Sequence, residues 1–80
     1  MSLINFNELI EDYSIITLHG SFELYIQNYI SITELVPDRI RIRTEREILT
    51  IEGDGLVVEY MDETGIKVLG YIHKLELRRL

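Results

Sequence analysis

From Arg39 to His73 the chain reads RIRIRTEREILTIEGDGLVVEYMDETGIKVLGYIH, an alternation of apolar and polar residues broken only where turn residues gather. That period of two predicts four consecutive antiparallel strands with one buried face. A tight turn around Glu45 and Arg46 sets Ile42 opposite Leu49 and Ile40 opposite Ile51, with Arg41 opposite Thr50 and Arg39 opposite Glu52 on the other side. Asp54-Gly55 has the chemistry of a type I′ hairpin, because both central residues need positive φ. It would set Ile51 against Val58 and Leu49 against Tyr60. Asp62-Glu63-Thr64-Gly65 suits a type I turn closed by a left-handed glycine, pairing Asp62 with Ile66, Tyr60 with Val68 and Val58 with Gly70. The three turns agree in placing Ile40, Ile42, Leu49, Ile51, Leu56, Val58, Tyr60, Ile66, Val68 and Ile72 on one face. A one-residue slip at any turn would destroy that agreement.

The opposite face is not uniformly polar. Ile48, Val57, Met61, Leu69 and Tyr71 fall on it, and a face of that kind needs a cover: the rest of the chain, a second copy, or a partner. These five residues are the candidate protein interface.

Before Arg39 the pattern is shorter-ranged. Tyr13 to His19 is rich in β-branched residues and stops at Gly20-Ser21, after which Phe22, Leu24 and Ile26 alternate with Glu23, Tyr25 and Gln27, a hairpin by pattern. Asn28 interrupts the alternation. Ile30, Ile32 and Leu35 follow, and Val36-Pro37-Asp38 turns the chain into the arginine strand. Leu3, Phe6, Leu9, Ile10 and Tyr13 recur at helical spacing, so residues 1–12 read as a short helix or as an extended arm. Leu75, Leu77 and Leu80 supply a last strand. The fold class expected is all-β, a small antiparallel meander closed as a roll or sandwich. A short solenoid is the rival arrangement, disfavoured because tight hairpins reverse the chain.

Eighty residues make one domain, spanning 1–80, with no room for a deep substrate cavity. There is no cysteine, hence no disulfide framework and no thiolate nucleophile, which suits a reducing compartment and a cytoplasmic protein. No apolar run approaches the ~20 residues needed to cross a bilayer, so direct membrane insertion is not expected. Net charge is −6, and all eight basic residues lie after Pro37 while the first 36 positions hold acids only. Such a balance argues against nucleic acid as a partner.

The spacing carried by Ile40, Ile42, Thr44, Leu49, Ile51, Gly53, Leu56, Val58, Met61, Ile66, Val68, Gly70 and Ile72 resembles the YabP/YqfC family of sporulation proteins. Upstream, Leu18, Gly20, Leu24, Ile26, Asn28, Tyr29 and Ile32 match the same family's pattern, with Gln27 standing where a glutamate is usual. The resemblance covers nearly the whole chain after Asp12. It implies a small all-β protein, made in the mother cell of an endospore-forming bacterium and acting in assembly of the spore envelope, its coat and cortex, through protein contacts. It also implies a membrane-protein partner in sporulation, a place in the cytoplasm of the mother cell or on the forespore surface, and no enzymatic activity. It supplies no catalytic residue, no metal ligand and no cofactor. Asn28 and Tyr29 are the polar residues of the motif, and a turn asparagine satisfying backbone groups is the plainer role for the first.

Two further constellations have plainer roles open to them. Arg39, Arg41 and Arg43 share one side of a strand, roughly 6 to 7 Å apart, and could meet phosphates or carboxylates; the plainer account is a solvated face paired to Glu52 and other acids. An anion-binding or nucleic-acid-binding β module using this strand is the alternative function. His19 and His73 have no companion at metal-ligand spacing, and neither Ser14 nor Ser21 sits in a nucleophile elbow. Catalysis is therefore not expected.

Overall fold

The computed structural model describes residues 13–80, so the arm or short helix expected within residues 1–12 lies outside the described residues. All regular structure in them is β: β1 (Ile15–His19), β2 (Glu23–Gln27), β3 (Tyr29–Val36), β4 (Arg39–Thr44), β5 (Glu47–Met61) and β6 (Ile66–Arg79). Neighbouring strands are antiparallel throughout, in the order β1-β2-β6-β5-β4-β3. The solenoid alternative is thereby excluded.

The β4–β5 pair has the register expected: Ile40 opposite Ile51, Ile42 opposite Leu49, Arg41 opposite Thr50 and Arg39 opposite Glu52. The loop between them is held by Thr44, whose hydroxyl accepts from the Glu47 amide at 3.0 Å and donates to the Glu47 carbonyl at 3.1 Å.

Asp54-Gly55 is not a hairpin turn. β5 runs through it without reversing, and β6 likewise continues to Arg79, so the separate final strand expected from Leu75 to Leu80 is the second half of β6. Ile51 consequently pairs with Leu75 and Leu49 with Leu77, in place of Val58 and Tyr60. The positive φ that suggested a turn is real, +60° at Gly55, but it serves a bulge where the register shifts between Asp54 and Val57.

That bulge bends the long β5–β6 hairpin back on itself, and the connections show how far. β2 ends beside the β5–β6 turn, where Ile26 pairs with Ile66. β3 begins at the opposite end of β5, where Tyr29 pairs with Thr44, and Asn28 alone separates the two strands. A straight β5 would hold those points on the order of 40 Å apart at ~3.3 Å per residue, a gap one residue cannot cross. The ends do meet: the Tyr29 hydroxyl donates to the Asp62 carbonyl at 2.7 Å, and the Arg46 guanidinium lies 4.9 Å from the centre of the Tyr13 ring.

The result is two half-sheets, β3-β4 joined to the first half of β5 and β1-β2 joined to the first half of β6, closed over one core. Leu24, Ile26, Ile66 and Val68 from one half meet Ile40, Ile42, Leu49 and Ile51 from the other in a single cluster completed by Leu56 and Ile72. The roll forms by folding an open sheet, so β1 and β3 remain its edges. Backbone groups at the bend are satisfied from both flanks. The β3–β4 turn accepts from Gly53 (Asp38 carbonyl, 3.1 Å) and Leu56 (Pro37 carbonyl, 2.8 Å), and the β1–β2 turn accepts from Gly70 (Phe22 carbonyl, 3.1 Å) and Ile72 (Ser21 carbonyl, 2.7 Å).

The last of the three register shifts between β5 and β6, between Val58 and Tyr60, corrects two further expectations. Val58 pairs with Val68, but Tyr60 pairs with Lys67 and Met61 with Ile66. One extra residue exchanges the faces of all that follow. Tyr60, expected in the core, is 42% exposed, and Met61, expected on the far face, pairs with buried Ile66 while itself remaining 48% exposed. The chain does reverse at Asp62–Gly65, with Asp62 Oδ1 accepting from the amides of Thr64 (2.8 Å) and Gly65 (3.1 Å), but Ile66 pairs with Met61 rather than Asp62, and Gly65 does not take the left-handed conformation expected of it.

Candidate functional site

The arginine strand is largely neutralised by a neighbour. The two-residue Pro37-Asp38 turn pairs Val36 with Arg39 and so brings Glu34 opposite Arg41. Glu34 takes a bidentate pair of hydrogen bonds from Arg39, Nε at 2.9 Å and the terminal nitrogen at 3.0 Å, and Arg41 approaches the same carboxylate at 3.3 Å. Those bonds from Arg39, then the two positive charges, hold Glu34 below its usual carboxylate range, and Glu34 in turn raises Arg39. Glu52, the acid expected to pair with Arg39, lies opposite it in register but makes its ion pair with Lys74 at 3.8 Å. Arg43 is the member of the trio without an ion pair among the described residues, and it shares its row with Ile48 and Arg78.

The five apolar residues expected on one far face do not form one patch. Ile48 lies between Arg43 and Arg78 on the outer side of the β4–β5 half-sheet. Val57 and Leu69 pair on the other half-sheet, Val57 exposed and Leu69 half-buried. Tyr71 stands at the bend, with Phe22 edge-on to it at 6.0 Å and the His73 ring at 4.8 Å. His73 Nε2 meets Asp54 Oδ2 at 2.7 Å, and both histidines are exposed. Met61 lies apart from them, exposed at the end of β5 opposite Ile66.

What the fold assembles instead is an apolar groove lined by Leu35, Val36, Pro37, Leu56, Val57 and Val58. It runs from the β3–β4 turn to the second half of β5. Leu35, Val36 and Val57 are exposed there. Beyond Leu56 no described strand pairs with that side of β5, so the groove borders an open strand edge. Sequence reasoning named Val57 but missed Leu35 and Val36, because only the fold-back brings the β3–β4 turn against the second half of β5. Glu34 was within reach: the Val36-Pro37-Asp38-Arg39 turn, taken as a two-residue hairpin, already sets it opposite Arg41.

Asn28 and Tyr29 hold the joint between the half-sheets. Asn28 has φ of +61°, and its side-chain amide donates to the Tyr13 carbonyl at 2.9 Å. On the outer face of the β1–β2 half-sheet, Lys67 bridges Glu23 at 2.7 Å and Glu59 at 3.3 Å within a shallow hollow shared with Thr17, His19, Tyr25 and Tyr60. The Lys67 hydrogen bond lowers Glu23, while burial, more than the neighbouring Tyr25, raises the Tyr60 hydroxyl. These charges satisfy one another. Among the described residues no group of three or more His, Cys, Asp or Glu is placed to hold a metal ion, and no helix is long and apolar enough to cross a membrane.

Taken together, the folded-back hairpin and its two flanking hairpins define a small all-β domain whose surface offers an apolar groove and internally paired charge. A family model, the YabP family, matches residues 11–79, and the chain belongs to that family. No curated protein and no solved structure matches it.

Proposed function

We propose that this chain is a sporulation protein that takes part in assembling the spore envelope, its coat and cortex, by binding other proteins rather than by catalysis. Membership of the YabP family over residues 11–79 is the observation that carries this proposal. The groove beside the second half of β5 supports the binding mode, since an apolar trough along an unpaired strand edge suits an extended segment of a partner added as a further strand. A sporulation membrane protein, met from the cytoplasm of the mother cell or at the forespore surface, is the partner proposed.

The test is genetic and biochemical together. Deleting the gene in a spore-forming host should impair coat or cortex assembly, wild-type protein should restore it, and Val36→Lys with Val57→Lys should remain folded without restoring it. A deletion strain with an intact envelope would overturn the role in assembly. Full restoration by the groove variant would move the binding surface elsewhere.

A further inference from the structure

The second half of β6 is an edge strand with an unusual charge pattern. β2 pairs with β6 only from Ile66 to Leu69, and the β1–β2 turn reaches no further than Ile72. From Lys74 to Arg79 the side of β6 away from β5 faces no strand among the described residues. The backbone there is aimed outward. Leu80 donates to the Arg46 carbonyl on the β5 side at 3.0 Å, and the register is unbroken from Lys74 to Arg79, so alternation turns the amides of Leu75, Leu77 and Arg79 toward the open side.

The side chains on this strand are also incomplete. Leu75 and Leu77 extend the rows of buried Ile51 and Leu49, yet they are 36% and 52% exposed. The core therefore reaches the surface at this edge. On the other side Glu76 and Arg78 make no ion pair among the described residues.

We infer that this edge pairs with the same edge of a second copy of the chain, antiparallel about a two-fold axis at Leu77. The pairing sets Leu77 against its counterpart and Leu75 against Arg79 of the other copy, with about six outward backbone hydrogen bonds. It also sets Glu76 opposite Arg78 in both directions, giving each unpaired charge an opposite one. Charge complementarity selects the occupant, because the strand's own Glu-x-Arg sequence is what complements it. Position selects the register: an axis at Leu75 would also pair Lys74 with Glu76, but it would carry the contact past His73 into Ile72 and Gly70, whose amides are already bound by the β1–β2 turn. Charges on an edge strand commonly guard it against pairing. A guard works by mismatch, and here the charges match. The contact would join two β3-β4-β5-β6 half-sheets into one continuous sheet. It requires no other protein and is separate from the groove, so its failure would leave the proposed role in envelope assembly standing.

The experiment is sedimentation equilibrium on the purified full chain and on Glu76→Arg and Arg78→Glu, with thermal unfolding as the control for folding. The wild type should dimerise. Each single variant should weaken the dimer by about tenfold or more, since both copies then oppose like charges. An equimolar mixture of the two variants should dimerise again, because every pair across the axis is once more opposite in sign. In the wild type, amide exchange at Leu75, Leu77 and Arg79 should slow as concentration rises. A wild type that stays monomeric up to about 100 µM, a range that would reveal even weak self-association, overturns the inference. So does a dimer that neither variant nor their mixture alters.

Discussion

Gly53 and Tyr71 meet backbone to backbone at the bend, so closely that a Cβ on Gly53 would overlap the Tyr71 carbonyl oxygen. Across the same bend a Cβ on Gly70 would stand 2.8 Å from the Gly55 carbonyl oxygen and 2.9 Å from Leu56 Cα, and Gly70 itself has φ of +138°. Gly55 is different: it has φ of +60° but open space around it. The long hairpin folds back where these glycines let β5 and β6 cross without side chains between them.

Gly53→Ala should therefore destabilise the domain far more than Gly55→Ala. The first must push apart two hydrogen-bonded strands, at a cost of about 3 kcal/mol or more, whereas the second carries only the left-handed backbone penalty of about 1 kcal/mol. Gly55→Val should cost more than Gly55→Ala because a β-branched residue resists positive φ. Urea denaturation of the three variants gives the order, and equal midpoints for Gly53→Ala and Gly55→Ala would remove the close approach from the explanation of the bend.

These glycines also mark where the sequence was legible and where it was not. The β4–β5 register could be read because Arg41, Thr50 and their apolar neighbours repeat across a short local loop. Asp54-Gly55 has the local chemistry of a hairpin, and a bulge asks for the same positive φ, so local chemistry alone does not separate them. The distinction lies in partners far along the chain: Leu75 and Leu77 continue the alternation past Gly70 and take the places opposite Ile51 and Leu49 that a hairpin would have given to Val58 and Tyr60. The same limit hid the groove. Val57 shows as apolar and outward in any alternating pattern, but its approach to Leu35 and Val36 depends on the fold-back.

Asn28→Ala should destabilise by about 1 to 2 kcal/mol, and Asn28→Gly by less. Alanine loses both the tolerance of φ near +60° and the hydrogen bond to the Tyr13 carbonyl, while glycine loses the bond but keeps the tolerance. Asparagine is the non-glycine residue that visits this region most readily, which is why it can make a one-residue joint. Thermal unfolding of the two variants would decide it, and an alanine variant as stable as the glycine one would show that the backbone at residue 28 relaxes.

Stability should fall in acid through three named carboxylates. Glu34 is lowered from 4.5 chiefly by its hydrogen bonds from Arg39, Glu23 from 4.5 by that from Lys67, and Asp62 from 3.8 by those from the Thr64 side chain and the Thr64 and Gly65 amides. A group whose folded value lies below its unfolded value binds protons more readily when unfolded. Its stabilisation is complete above the unfolded value and is lost as the pH falls through the folded one. The melting temperature should thus hold from neutrality down to about pH 5 and decline below it. Lys67 is raised above 10.5 by Glu23 and then Glu59, so its contribution is present below 10.5 and fades as the pH rises through the raised value. All of these groups are partly exposed, so salt should flatten both limbs. Glu34→Gln should also flatten the acid limb; an unchanged limb in that variant would mean the Arg39 pair contributes nothing to folding.

Anion binding by the arginine strand should be controlled by Glu34. Arg39 and Arg41 both spend their charge on that one carboxylate, leaving Arg43 as the member of the trio without an ion pair among the described residues, on a chain whose net charge is −6. The wild type should accordingly show no gel shift with RNA or polyphosphate near physiological salt, and changing Arg39, Arg41 and Arg43 to alanine should alter nothing. Glu34→Gln frees two guanidiniums about 6 to 7 Å apart on one face, close to the spacing of successive phosphates. Weak binding should appear in that variant, with a salt slope of roughly −1.5 to −3, the range for two or three phosphate contacts. Lowering the pH of the wild type should act in the same direction, because protonating Glu34 releases the same two side chains. Submicromolar binding of RNA by the wild type at physiological salt, abolished by the triple alanine change, would reverse this assignment and make the arginine strand a binding site in its own right.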